Sequence, residues 1–183
     1  MNAKKKEFFK NRTVMIYSIV KYPDPVLHRP ADPVTEFDSK LRRLVEDMFA
    51  SMYQAEGIGL AAPQIGISKR ITVIDLSFQK KPEDKIVLIN PQIIASEGKQ
   101  YEEEGCLSLP EIRDKVHRAA HVKVQAQDTH GKHYEIEGDE LLARAFQHEI
   151  DHLDGILFID RISRLKRDLQ LRKIRKMIKV GEW

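Results

Sequence analysis

A histidine pair in the last quarter of the chain is the clearest sign of chemistry. His148 and His152 are four residues apart, and on a helix that spacing stacks two imidazoles one turn apart, where both can bind one metal ion. Glu149 directly follows the first histidine, so its carboxylate can act as a general base on a metal-bound water. The pattern H-E-x-x-H therefore predicts a hydrolytic metal centre. The alternative is a chance pattern on a solvated helix.

A catalytic metal usually has three protein ligands and one open position. The longer metalloprotease pattern would supply a third histidine, but Phe158 stands at that place. A lone cysteine is more often a small buried hydrophobe, yet a thiolate is a strong ligand for zinc or ferrous iron. We therefore predict that Cys106 is the third ligand. Gly105 before it and Pro110 after it predict irregular backbone, which would leave the Leu107 amide free to point at a ligand.

A glycine-rich stretch, residues 57–66, is the second informative region. It contains G-x-G-x-x-A, but a dinucleotide-binding fingerprint follows a strand and opens a helix. Here the pattern follows a predicted helix and runs into Pro63. We interpret it as a loop whose backbone approaches a ligand closely, with Gln64 offering an amide donor. A plain glycine turn is the alternative.

The composition is that of an ordinary globular protein. The chain has 183 residues, of which 42% are hydrophobic and 32% are charged, enough for one domain with its own core. No apolar run approaches the roughly 20 residues that a membrane span requires. The single cysteine excludes an internal disulfide framework and fits a reducing cytoplasm. We predict a cytoplasmic protein without membrane or DNA partners.

The charge is unevenly distributed along the chain. Residues 161–180 contain nine Lys or Arg and one acid, Asp168, whereas the net charge of the whole chain is only +3. We predict a disordered basic extension over residues 1–14, a catalytic domain over residues 15–160, and a basic C-terminal helix and tail over residues 161–183. A basic tail on an acidic body predicts an anionic partner that binds the tail.

The hydrophobic pattern predicts an α+β fold. Apolar residues from Leu41 to Met52 recur at helical spacing behind a capping residue, Asp38 or Ser39. We expect mixed or antiparallel strands packed around the H-E-x-x-H helix, together with this earlier helix and the basic C-terminal helix. The predicted strands cover residues 70–76, 86–90, 121–127 and 132–137.

The basic C-terminal helix is predicted to begin at Asp160 and to continue through Val180. We expect its first half to dock on the body through one apolar face and its second half to project or pair with a partner. The docking face would consist of Ile162, Leu165 and Leu169, and a different face carries Leu171, Ile174 and Ile178.

Three stretches together carry a family resemblance. Residues 57–66, 104–108 and 147–155 resemble the three signature motifs of the bacterial peptide deformylase family, in the same order and at similar separations. The resemblance covers about residues 15–179. It implies a hydrolase that removes the N-formyl group from the formyl-methionine of nascent polypeptides and releases formate. It also implies one divalent metal, with ferrous iron the usual ion and zinc, nickel or cobalt able to substitute.

The resemblance also implies roles for individual residues at the metal. Cys106, His148 and His152 would be the three ligands, and Glu149 would be the catalytic acid and base.

On the substrate side, the resemblance implies an oxyanion hole formed by Gln64 and the Leu107 amide. Gly59 would hold the substrate backbone. Ile58 and Gly105 are further candidates for substrate contacts, with Ile58 facing the methionine side chain.

The chain departs from the family pattern in two places. Glu111 follows the Pro of the second motif, where many relatives carry Gly, and the residues before Met15 are not part of the family core.

Two other functions compete with this interpretation. A zinc endopeptidase shares H-E-x-x-H but predicts cleavage of unformylated internal peptide bonds. A ribosome- or RNA-binding module would use only the basic residues 161–180, which could contact ribosomal RNA phosphates. Neither requires Cys106 or the glycine-rich stretch, so both residue patterns favour the deformylase interpretation.

Overall fold

The computed structural model describes residues 14–81 and 84–183, so the predicted extension over residues 1–14 lies outside the described residues except for Val14. The described chain contains three α-helices and seven β-strands. In chain order they are α1 (Ser39–Gln54), β1 (Gly59–Ala61), β2 (Ile71–Ile74), β3 (Ile86–Glu97), β4 (Gln100–Cys106), β5 (Leu109–Arg118), β6 (His121–Gln127), β7 (His133–Asp139), α2 (Glu140–Leu153) and α3 (Arg164–Val180). None of the helices in this part of the chain has the length and apolar character needed to cross a membrane.

The strands form two antiparallel sheets. Five strands lie in the order β1-β2-β3-β6-β7, and β4 pairs with β5 in a two-stranded sheet. All pairings within the larger sheet are antiparallel. The predicted α+β class with antiparallel strands is confirmed, and each of the four predicted strands is present, with β3 longer than expected.

Helix α1 forms as the sequence predicts. Asp38 caps it, because its Oδ1 accepts hydrogen bonds from the amides of Lys40 and Leu41 at 2.8 and 2.9 Å. Such a cap satisfies amides that have no partner inside the helix. The apolar face, including Met48 and Met52, is fully buried against β1 and β2. This packing fixes the position of the glycine-rich stretch that follows the helix.

Helix α2 carries the H-E-x-x-H pattern into the interior. Its apolar residues Ala143, Phe146 and Ile150 are buried in one cluster with residues of the large sheet. The same burial leaves Glu149 only 4% exposed and His152 only 1% exposed. Packing of an apolar face therefore places the polar side chains inside the protein, where solvent cannot screen them.

The β4–β5 hairpin was not predicted. Irregular backbone was predicted only beside Cys106, where a register shift and the Leu107–Ser108 turn do lie, but the paired strands on either side of it were not predicted. The hairpin is hard to recognise because β4 is largely exposed and rich in Glu, so alternation of apolar and polar residues is absent from it. The irregular backbone lies near the turn: the register shifts between Gly105 and Cys106, and Glu111 has a positive φ.

Helix α3 begins later than predicted. Asp160 ends a 3-10 turn, Phe158–Asp160, and does not cap the helix. Ser163 is the N-cap, and its side chain accepts a hydrogen bond from the Lys166 amide.

The docking face of α3 is also opposite to the predicted one. Ile174 is fully buried in one cluster with Leu109 and Ile112 of β5. Leu165 and Leu169 are 72% and 55% exposed. The second apolar face therefore packs behind the hairpin through Ile174 and Leu171, and of the predicted face only Ile162 packs against the same cluster.

The turn of the hairpin is tied to two distant parts of the chain. The Tyr22 amide donates to the Ser108 carbonyl at 3.0 Å, and the Tyr22 carbonyl accepts a hydrogen bond from Trp183 Nε1. Gln64 Nε2 contacts Ser108 Oγ at 3.4 Å. The backbone beside Cys106 is thus fixed from several directions.

Candidate active site

Three predicted ligands converge at one point. Cys106 ends β4, whereas His148 and His152 lie one turn apart on α2. One donor atom from each, the thiol sulfur and one ring nitrogen of each histidine, lies within 4.8 Å of the other two. The Cys106 Sγ is 3.1 Å from His152 Nε2. The structure therefore brings together a group of side chains that could hold a metal ion.

The residues around this point fit a divalent metal. One thiolate and two imidazoles are a donor set that suits zinc and similar ions and leaves a position for water. Within the described residues, Glu149 Oε2 and His152 Nδ1 are the buried side-chain polar atoms that have no hydrogen-bond partner. Buried polar atoms are normally paired, and an unpaired carboxylate oxygen beside three ligands is placed to bind a water.

A buried carboxylate orients the first histidine. His148 Nδ1 lies 2.9 Å from Glu104 Oε2, which leaves the other ring nitrogen for a metal. Arg118 binds the same carboxylate through Nε and Nη2 at 2.8 and 3.0 Å. Although burial opposes its ionisation, hydrogen bonds from His148 and Arg118 lower the pKa of Glu104 to about 2. Burial lowers the pKa of His148, but hydrogen bonds to Cys106 and Glu104 raise it well above its ordinary value.

Arg118 also joins the hairpin to α2. Its Nη1 donates to Asp151 Oδ2, and Arg161 Nη2 donates to Asp151 Oδ1 at 2.6 Å. Asp151 therefore reaches His148 only through Arg118 and Glu104, so its effect on that ring is indirect. Neither Arg118 nor Glu104 was predicted from the sequence to be a site residue. The burial of Arg118 could have been predicted, because this residue occupies an inward-facing position of β5.

Glu149 is enclosed by the glycine-rich stretch. A Cβ atom at Gly59 would clash with the Glu149 carboxylate, so only glycine leaves room for this side chain. Burial raises the pKa of Glu149 to about 7; the positive charge of His148 opposes this shift and the negative charge of Glu104 adds to it. A carboxylate with this pKa can both accept and return a proton near neutral pH.

Gln64 is held with its amide toward the cysteine. It is buried in a 3-10 turn, Ala62–Ile65. Its Oε1 accepts a hydrogen bond from the Ala61 amide at 2.8 Å, and its Nε2 lies 3.5 Å from Cys106 Sγ. The carbonyl end of the side chain is therefore fixed, and the NH₂ end points into the site.

A cavity of about 600 Å³ opens beside the three ligands. Leu109, together with Leu141 and Ala145 of α2, gives it apolar walls. The predicted site residues, apart from the buried His152, also line it: Ile58, Gly59, Gln64, Gly105, Cys106, Leu107, His148 and Glu149. The arrangement combines a metal-binding group, a buried acid and space for an apolar side chain.

Comparison with known proteins supports one family. The family model for polypeptide deformylase matches residues 16–168. A protein of Acidobacterium capsulatum named peptide deformylase is 71% identical over 170 residues, which cover 93% of this chain and 100% of that protein. A protein of the same name from Thermodesulfovibrio yellowstonii is 51% identical over 160 residues, which cover 87% of this chain and 97% of that protein.

Solved structures agree with the sequence relatives. A crystal structure of a peptide deformylase from Legionella pneumophila has a TM-score of 0.85 at 49% identity, covering 91% of this chain and 97% of that one. A Synechococcus elongatus peptide deformylase, solved in complex with actinonin, has a TM-score of 0.82 at 39% identity, covering 89% and 94%. The chain therefore belongs to the polypeptide deformylase family.

Proposed function

We propose that this protein removes the N-formyl group from the N-terminal formyl-methionine of newly synthesised polypeptides and releases formate. The observation that carries the proposal is the convergence of Cys106, His148 and His152 beside the buried Glu149, at one end of a cavity. Family membership supports the same activity. Formate and a free amino terminus are the two products, so one water is consumed for each group removed.

The cavity suits a formylated methionine. Ile58, Leu109 and Leu141 give it apolar surface for an unbranched side chain. Gly59 has no side chain toward the site, so substrate backbone can approach it closely. We propose that this part of the cavity binds the first residue of the substrate and that its narrow approach to the ligands admits only a small acyl group.

We propose that Cys106, His148 and His152 bind a divalent metal, ferrous iron in the cell. Zinc, nickel or cobalt suit the same donor set. When bound, such an ion lowers the pKa of a water and polarises a carbonyl oxygen. Glu104 and Arg118 support the site because they fix the ring of His148.

Proton transfer is assigned to Glu149. Its carboxylate accepts a proton from the attacking water and returns it to the departing amine, a cycle that a pKa of about 7 supports. Negative charge develops on the formyl oxygen, where Gln64 Nε2 and the Leu107 amide are proposed to donate hydrogen bonds. Removal of one such donor typically costs about 3–4 kcal/mol in the transition state.

Formate release tests the proposal directly. A formyl-Met tripeptide is incubated anaerobically with iron-loaded wild type, Glu149→Ala and Cys106→Ala. Wild type should turn over, Glu149→Ala should keep its metal but lose about 10²–10⁴-fold in rate, and Cys106→Ala should lose metal. A folded, metal-loaded wild type that releases no formate would contradict the proposal. Cleavage of unformylated peptides would then favour the endopeptidase alternative.

We also propose that the outer face of α3 binds ribosomal RNA phosphates. Among the described residues, Arg172, Arg175 and Lys176 make no side-chain hydrogen bond or ion pair and are exposed. Free cations on one side of a helix fit a polyanionic partner. In contrast, Lys166 is bound to Asp114.

Cosedimentation with ribosomes tests this partner. Changing Arg172, Arg175 and Lys176 to Glu should weaken binding and flatten its salt dependence, while turnover of the tripeptide is unchanged. A matched control changes three lysines elsewhere on the surface to Glu: Lys21, Lys99 and Lys132. Equal cosedimentation of both variants and wild type would remove the proposal.

A further inference from the structure

Three non-glycine residues that line the cavity have a positive φ: Glu56, Phe78 and Glu111. Glu111 lines the cavity and has a φ of +63°. This left-handed region favours glycine, because a Cβ atom crowds the neighbouring carbonyl there. Something in the surrounding structure must therefore hold the backbone in place.

A lysine of α3 provides that contact. Lys173 Nζ donates to the Glu111 carbonyl at 2.7 Å. The lysine is well anchored, since the adjacent Ile174 is fully buried behind β5. One turn earlier, Gln170 Nε2 donates to the Arg113 carbonyl at 3.3 Å. Two successive turns of α3 thus bind carbonyls along the same segment of β5.

That segment is a wall of the substrate cavity. Residues 109–113 all line the cavity, and the Glu111 peptide lies at the centre of this segment. If Glu111 relaxed to a negative φ, the peptide plane would rotate and move Pro110 and Ile112 on either side. The hydrogen bond from Lys173 opposes this rotation because it holds the carbonyl toward α3.

We propose that Lys173 is a positioning residue that maintains the shape of the substrate cavity through the backbone of Glu111. This inference rests on the proposed deformylase function. Lys173 contacts none of the residues assigned to proton transfer or metal binding, so its effect falls on substrate binding. Helix α3 thus has basic residues with two roles. Some have free side chains on its outer surface, whereas Lys173 shapes the cavity.

Steady-state kinetics of the metal-loaded enzyme with a formyl-Met tripeptide test the proposal. Lys173→Met keeps the length of the side chain but removes the donor, and should raise KM by about three- to tenfold with kcat within twofold. Lys99→Met, which changes an exposed lysine between β3 and β4, is the matched control and should behave as wild type. Lys173→Arg keeps a donor and should restore most of the affinity.

A second substitution separates backbone positioning from a loss of charge. Glycine adopts a positive φ without strain, so Lys173→Met combined with Glu111→Gly should return KM toward the wild-type value. Hydrogen exchange of the amides of residues 109–113 should be faster in Lys173→Met and slower again in the double variant. An unchanged KM in Lys173→Met, or a raised KM without rescue by glycine, would overturn the proposal. If wild type itself releases no formate, the proposed function fails, and the exchange rates still decide whether Lys173 holds this segment.

Discussion

The two halves of the candidate site are held in different ways. His148, Glu149 and His152 lie on α2, whose apolar face is buried against a five-stranded sheet. Cys106 lies at the turn end of a two-stranded hairpin, which packs on a buried apolar cluster and which α3 supports through Ile174 and several exposed or partly buried polar contacts. Exposed hydrogen bonds open more easily than a buried apolar face. Glu149, the proposed proton-transfer group, therefore lies on the half that a buried helix face anchors, and the hairpin half lines much of the cavity.

An ion network joins these two halves. Arg118 of β5 binds Glu104 of β4 and Asp151 of α2, and all three side chains are buried. The spacing between the cysteine and the two histidines consequently depends on charges as well as on apolar packing. The following predictions test the contrast between the halves, beginning with their connection.

Replacement of Arg118 by Leu should have the largest effect on stability. It would leave Glu104 and Asp151 buried without their shared cation, and breaking a buried ion pair typically costs about 3–5 kcal/mol. Chemical denaturation of the variant measures the loss. Arg164→Leu is the control: Arg164 is exposed at the first turn of α3, and surface changes usually stay within about 0.5 kcal/mol. Similar unfolding of both variants would show that the network does not connect the halves.

Truncation of Ile174 should weaken the hairpin half specifically. Ile174→Ala removes buried apolar surface behind β5 and should cost about 2–5 kcal/mol. Leu169→Ala on the exposed side of the same helix should have almost no effect, since that side chain is 55% exposed. The measurement is again the free energy of unfolding. Equal losses would mean that α3 docks through its other face.

Replacement of Gly59 by Ala should disturb the helix half with little change in stability. The added methyl group would push the Glu149 carboxylate from its position, and a misplacement of about 1 Å can reduce turnover by about 100-fold. Gly105→Ala is a matched control in the same cavity, because its Cβ would meet Arg113 side-chain atoms at 3.5 Å, an ordinary contact. If both variants lose turnover equally, the crowding of Glu149 is not the cause.

Local sequence patterns predicted the helix half well. Helical spacing of the histidines and the apolar face of α2 follow from residues within two turns of each other. Cys106 was predicted by elimination to be the third ligand, since no other candidate was evident in the sequence. Strands β2, β3, β6 and β7 of the large sheet were predicted from the sequence, whereas β1 lies in the glycine-rich stretch that was predicted to be a loop.

The hairpin half was harder to predict because its contacts are distant in sequence. Glu104 and His148 are 44 residues apart, and Arg118 and Asp151 are 33 apart, so no local spacing relates them. The docking face of α3 was assigned incorrectly for the same reason. Both of its apolar faces are equally periodic, and only the position of β5 decides that Ile174 packs inward.

The contact between Trp183 and Tyr22 has a practical consequence for work with this protein. Trp183 bonds to the Tyr22 carbonyl, and the Tyr22 amide bonds to the turn that follows Cys106. A purification tag fused directly after Trp183 would displace this side chain, which two successive hydrogen bonds connect to the backbone near Cys106. Tagged preparations would then differ in retention of the proposed metal for reasons unrelated to any substitution under study. A cleavable fusion with a flexible spacer avoids that artefact.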